Sequence, residues 1–98
     1  MTQYTQRLDG ANADGTSWVF RGHLNAAGLR HGHGECKTFW RNTDFLMSTY
    51  TGNWVNDVRS GRGTVLFREG HLYDGEWRND ERHGQGVYHS PEFDPSQE

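Results

Sequence analysis

Tyr50-Thr-Gly52-Asn-Trp54 returns 23 residues later as Tyr73-Asp-Gly75-Glu-Trp77. A polar loop follows each copy, and then a glycine pair, Gly61-Arg-Gly63 in the first and Gly84-Gln-Gly86 in the second. Counted from the tyrosine, glycine falls at +2, tryptophan at +4 and glycine again at +11 and +13 in both copies. A fixed period of ~20–50 residues is the mark of stacked supersecondary units. Residues at i, i+2 and i+4 share one face of a strand, so each unit reads as a β-hairpin with an aromatic and glycine face. Gly61, Gly63, Val65 and Phe67 align on one face of the second strand in the same way. Glycine weakens a strand, and the reason expected for so many of them is room for Tyr and Trp rings against the backbone.

This wording, YxGxW followed by (R/H)xGxG, resembles the MORN repeat (membrane occupation and recognition nexus). Residues 50–89 carry it fully. Residues 18–40 carry it with substitutions: Phe20 stands in the Tyr slot, Gly22 follows, Leu24 stands in the Trp slot, and Arg30-His31-Gly32-His33-Gly34 closes the unit. Gly22 to Gly32 is one residue longer than Gly52 to Gly61, which calls for a bulge or a longer loop at Asn25 to Gly28. The stretches HLNAAGLRHGHG (23–34) and RHGQGVY (82–88) are also similar to the radial spoke head MORN subunits of motile cilia. The fold expected is all-β: a single-layer antiparallel ribbon of about three stacked hairpins, one of them lengthened.

Composition agrees. A hydrophobic share of 32% and a mean hydropathy of −1.02 would suit a disordered chain, but 13% of residues are aromatic and four are Trp. A thin sheet fits that balance and an enzyme-sized core does not. Net charge is −3 with both signs interspersed, which leaves no footprint for nucleic acid. The single cysteine, Cys36, suits a reducing compartment. With no apolar run of membrane-spanning length, the expected location is the cytoplasm, with the cilium or flagellum axoneme as the place the resemblance implies.

Outside the repeats, residues 1–17 read as a mostly irregular arm in which Tyr4 to Leu8 is a strand candidate. Residues 90–98 read as a flexible acidic tail, because Pro91 and Pro95 end strand pairing. The connection 35–49 is longer than its counterpart by six residues. It reads as two lengthened strands, 35–41 and 45–55, turning at Asn42-Thr43-Asp44 and overhanging the sheet with Phe39, Trp40, Phe45, Leu46 and Met47.

Chemistry-bearing alternatives fall away one by one. His31 and His83 occupy the slot before the first closing glycine, taken by Ser60 in the middle unit, so they read as structural imidazoles rather than metal ligands. Gly61-Arg-Gly63 belongs to the repeat, not to an RGG segment. No strained nucleophile elbow and no phosphate loop before a helix is present, so neither an enzyme, a cofactor nor a small-molecule substrate is expected. The expected function is a protein–protein interaction scaffold within a cytoskeletal or axonemal assembly. Its binding groove would be lined by Phe20, Tyr50, Trp54, Phe67, Tyr73, Trp77 and Tyr88, with the overhang adding specificity. The runner-up, implied by the family's name, is a phosphoinositide-binding adaptor using Arg59, Arg62, Arg78 and Arg82, although Asp57, Asp80 and Glu81 offset those charges.

Overall fold

The structure is a computed structural model of the chain, and it describes residues 6–91. Seven strands, β1 (Gln6–Ala11), β2 (Ser17–Leu24), β3 (Arg30–Phe39), β4 (Leu46–Val55), β5 (Val58–Phe67), β6 (Leu72–Arg78) and β7 (Glu81–His89), follow one another. They form one antiparallel sheet whose spatial order is the sequence order. No helix occurs among the described residues. The fold is thus the expected all-β ribbon of hairpins, with one strand more than three hairpins supply.

That strand is β1, within the arm expected to be mostly irregular. It pairs with β2 from Gln6 opposite Gly22 to Ala11 opposite Ser17. The register sets Leu8 against Phe20 and Gly10 against Trp18, and a Cβ on Gly10 would run into the Trp18 indole. A short alternation of apolar residue and glycine is therefore enough to extend the sheet. Tyr4 and the tail 92–98 lie outside the described residues.

The three repeat hairpins, β2·β3, β4·β5 and β6·β7, all shift register just after the first glycine of the unit, at Gly22, Gly52 and Gly75. Two kinds of glycine explain this. Gly61 sits at φ +84° beside the shift, a left-handed conformation that L side chains resist. Gly63 is in ordinary strand geometry, but a Cβ there would collide with the Tyr50 ring and hydroxyl. Room for the rings is therefore only one of the two reasons for the glycines. The positions of Gly32 and Gly84 repeat the first case, and those of Gly34 and Gly86 the second.

Asn56 and Asp57 make the β4–β5 turn with φ of 45° and 78°, and Asn79 and Asp80 make the β6–β7 turn with φ of 50° and 68°. Asn and Asp are the non-glycine residues that tolerate positive φ at both central positions of a tight hairpin turn. In the first unit the loop is longer. The Asn25 amide donates to the Leu29 carbonyl at 2.9 Å, and Leu24 faces Arg30 where Trp54 faces Arg59. The extra residue is absorbed in that loop.

The core lies on one face: Phe20, Cys36, Tyr50, Trp54, Val65, Tyr73 and Trp77 are buried. Their rings meet edge to face in series. The ring centroids of Phe20 and Trp54 are 5.4 Å apart, those of Trp54 and Tyr50 5.1 Å, of Tyr50 and Trp77 5.3 Å and of Trp77 and Tyr73 5.5 Å, with interplanar angles of 81–89°. Each such contact adds about 0.5–1.5 kcal/mol beyond area burial. A sheet without a second layer thereby makes its own interior.

Candidate functional site

An arginine ladder runs along the aromatic face, one rung per unit. The Arg30 guanidinium lies 4.0 Å over Trp18 and 4.4 Å over Trp54. It donates to the Asp57 carboxylate at 2.6 Å and to the Asp57 carbonyl at 3.0 Å. One unit on, Arg59 lies 5.7 Å over Tyr50 and 4.5 Å over Trp77, and donates to the Asp80 carboxylate at 3.1 Å and carbonyl at 2.7 Å. Each rung joins the closing strand of one unit to the Trp and the turn aspartate of the next. Stacking between rings desolvates the cation and strengthens its attraction to the π faces. The lipid reading needs free arginines in these loops, and Arg59 is engaged in this way while Arg62 donates to Asp74 at 3.3 Å. The sequence holds the signal that would have revealed the ladder: Asp at +7 and Arg at +9 recur in register at Asp57, Arg59, Asp80 and Arg82.

Beside the ladder run two contiguous depressions of about 150 and 380 Å³, which share Ser48, Arg59, Val65 and Asp80. The residues expected to line a partner groove divide between core and rim. Phe20, Tyr50, Trp54, Tyr73 and Trp77 are buried against one another, so the rings that a partner was expected to cover are covered by neighbouring units. Phe67 is half-buried and lines the groove, and Tyr88 is exposed on the last strand. Burial pushes the Tyr50 hydroxyl up to about 12, against the opposing pull of the Arg59 charge, and the hydroxyl donates to the Asn53 carbonyl at 2.8 Å. Burial likewise raises the Cys36 thiol, opposed by Arg30 3.7 Å from its Sγ.

The overhang is shorter than expected. β3 ends at Phe39 opposite Ser17 of β2, and β5 reaches Ser48 through Phe67, so only Trp40 to Met47 project. Two side-chain tethers hold them, and the Arg68 backbone N–H donates to the Met47 carbonyl at 2.9 Å. Arg41 donates to the Asp14 carbonyl at 2.8 Å, and the Arg68 guanidinium lies 3.8 Å over the Phe45 ring. Hydrogen bonds from the Thr16 hydroxyl and backbone N–H keep the Asp14 carboxyl below the usual range in the turn that meets Arg41. Trp40 is 49% and Phe45 47% exposed. Together with Met47 and Phe67 they line an apolar cleft of about 250 Å³. Phe39 and Leu46 flank the turn, half-buried and paired.

His31 has the hairpin-mouth role expected of it: its Nδ1 accepts from the Asn56 amide at 3.2 Å. No group of three or more His, Cys, Asp or Glu residues suited to a metal ion is found among the described residues.

The family profile of the MORN repeat matches residues 26–38, 50–71 and 73–94, more than half of the chain. The first match takes in the loop and closing strand of the first unit and leaves out its opening strand, where Phe20 and Leu24 replace the usual aromatics. No curated protein matches the chain. Repeats of this kind are interaction modules for proteins and membranes. By its period, its hairpin geometry and the span of the match, the chain belongs to the MORN repeat family.

Proposed function

We infer that the chain is a protein–protein interaction scaffold, a subunit or adaptor of a cytoskeletal assembly of the axonemal type in the cytoplasm or cilium. It binds and does not catalyse. The observation that carries this reading is the apolar cleft of the β3–β4 turn, where Trp40 and Phe45 stay about half exposed while tethered from both sides. Large apolar groups held rigidly in water favour a partner that covers them, because their ordering precedes binding. The axonemal part rests on residues 23–34 and 82–88, which are similar to the radial spoke head subunits.

The test is capture from extracts of ciliated and non-ciliated cells with the wild-type chain and with a Trp40→Ser, Phe45→Ser variant, read by quantitative mass spectrometry. Axonemal proteins held by the wild type and lost by the variant are the expected result. Identical captured sets would remove the cleft from the function. Salt-sensitive binding to phosphoinositide vesicles in place of protein capture would restore the lipid reading.

A further inference from the structure

β7 is the closing strand of a unit, and among the described residues nothing pairs with its outer side. Its two counterparts each receive the opening strand of the next unit in one register. On β3, Gly32 faces Trp54, Gly34 faces Gly52 and Cys36 faces Tyr50. On β5, Gly61 faces Trp77, Gly63 faces Gly75 and Val65 faces Tyr73. β7 offers Gly84, Gly86 and Tyr88 at the same three positions. Gly84 has the left-handed φ of Gly32 and Gly61.

Arg82 is the third rung of the ladder. It lies 5.2 Å over Tyr73 of its own unit, as Arg59 lies over Tyr50. Arg30 and Arg59 each go on to stack under the Trp of the following strand and to hold the Asp of its turn. For Arg82 those two partners are lacking among the described residues, and the whole of β7 is exposed.

We propose that β7 accepts an eighth strand from a partner protein, an extended segment with aromatic, glycine and tryptophan at alternate positions and an aspartate three residues on. The incoming Trp faces Gly84 and stacks on Arg82, its Asp is held by the same guanidinium, and its first aromatic covers Tyr88. This rests on the reading of the chain as an interaction module and names the chemistry of one of its partners. Strand addition supplies main-chain hydrogen bonds, and the alternate side chains supply selectivity. A second copy fits poorly. Its opening strands β2, β4 and β6 are interior, its β1 carries no Trp and pairs its Arg7 with its own Asp9, and its β7 has neither a Trp nor an Asp to offer Arg82. The chain itself leaves β7 towards the β5–β6 turn, where Pro91 lies against the Gly70 position.

The probe is a synthetic copy of residues 72–80, the segment that β5 itself accepts, titrated into isotope-labelled full chain. Saturable amide shifts along residues 82–88 are expected, with roughly tenfold weaker binding by an Arg82→Ala chain, the scale of a lost stacked and ion-paired guanidinium. The same loss is expected when the Trp or the Asp of the probe is replaced by Ala. Arg82→Lys, which keeps the charge without the flat stacking surface, should fall between, and guards against a folding defect in the Ala variant. No shift on β7 at millimolar probe, equal binding by the Arg82 variants, or shifts confined to β1 would overturn the proposal. So would sedimentation showing that the chain alone dimerises and that Arg82→Ala abolishes the dimer. Failure here leaves the Trp40 cleft untouched, and failure of the capture experiment leaves β7 untouched, so the two outcomes are separable.

Discussion

Trp77 donates its indole N–H to the carbonyl oxygen of Gly63 at 3.1 Å, and Trp54 does the same to Gly34 at 3.4 Å. The bond crosses from the opening strand of one unit to the closing strand of the unit before. It gives a buried N–H the partner it needs, so that a ring of this size can lie against the sheet without an unsatisfied donor.

Trp54→Ala should therefore cost about 3–5 kcal/mol, the range for a buried aromatic truncated in a core. In a domain of this size that is a large share of total stability. Trp54→Phe keeps a ring and loses the bond to Gly34, and should fall between. Urea unfolding followed by circular dichroism checks both, and midpoints unchanged in both variants would mean that the ring is not packed between Phe20 and Tyr50.

The two kinds of glycine should separate by mutation. Gly61→Ala meets only ordinary van der Waals contact with Asn53 and pays the left-handed penalty, about 1–2 kcal/mol, and Gly61→Asn should cost less. Gly63→Ala drives a methyl into Tyr50 and should cost more than Gly61→Ala. Combined with Tyr50→Ala it should cost clearly less than the sum of the two single changes, because the clash is removed with the ring. Additive losses would show that Gly63 is not there for Tyr50.

Alkaline pH should unfold the sheet earlier than an exposed tyrosine would. The Tyr50 hydroxyl titrates near 10 in the unfolded chain and is raised to about 12 by burial in the fold. Between those values the native state holds a proton that the unfolded state has lost, so stability falls as pH rises. Below about pH 10 the contribution is complete. Tyr50→Phe should flatten the decline in thermal midpoint over that window, and an unchanged slope would assign the loss to other groups.

The β3–β4 turn should be nearly neutral to stability when only its exposed rings change. Trp40→Ser with Phe45→Ser should lower stability by about 1 kcal/mol or less, the scale of an exposed cation–π contact. Deleting residues 41–46 removes both tethers, to Asp14 and to Arg68, and should lower it further while leaving a β-sheet spectrum. A collapsed fold would show the turn to be a structural cap.

The hairpins were legible because Tyr, Gly and Trp recur at fixed offsets, and the longer loop at Asn25 because one interval is a residue too long. β1 was faint: Leu8 and Gly10 alternate once, with no period to amplify them. The burial of Trp54 and Tyr50 escaped the sequence for another reason. Spacing assigns rings to a face, but only the stacking of one unit on the next decides whether they stay open to solvent. From sequence Arg59 reads as a loop charge, because a cation between two rings is invisible until the strands are side by side.

Among the described residues every strand of this sheet pairs only with its neighbours in the chain. No pairing has to wait for a distant segment, so the loop-closure entropy that slows most β proteins is small at every step. Such an array behaves as a row of near-neighbour couplings. It can start to fold at any hairpin, and under a pull on its two ends it should peel strand by strand from the edges. Hydrogen exchange should reproduce that order, fastest in β1 and β7 and slowest where β4 meets β5.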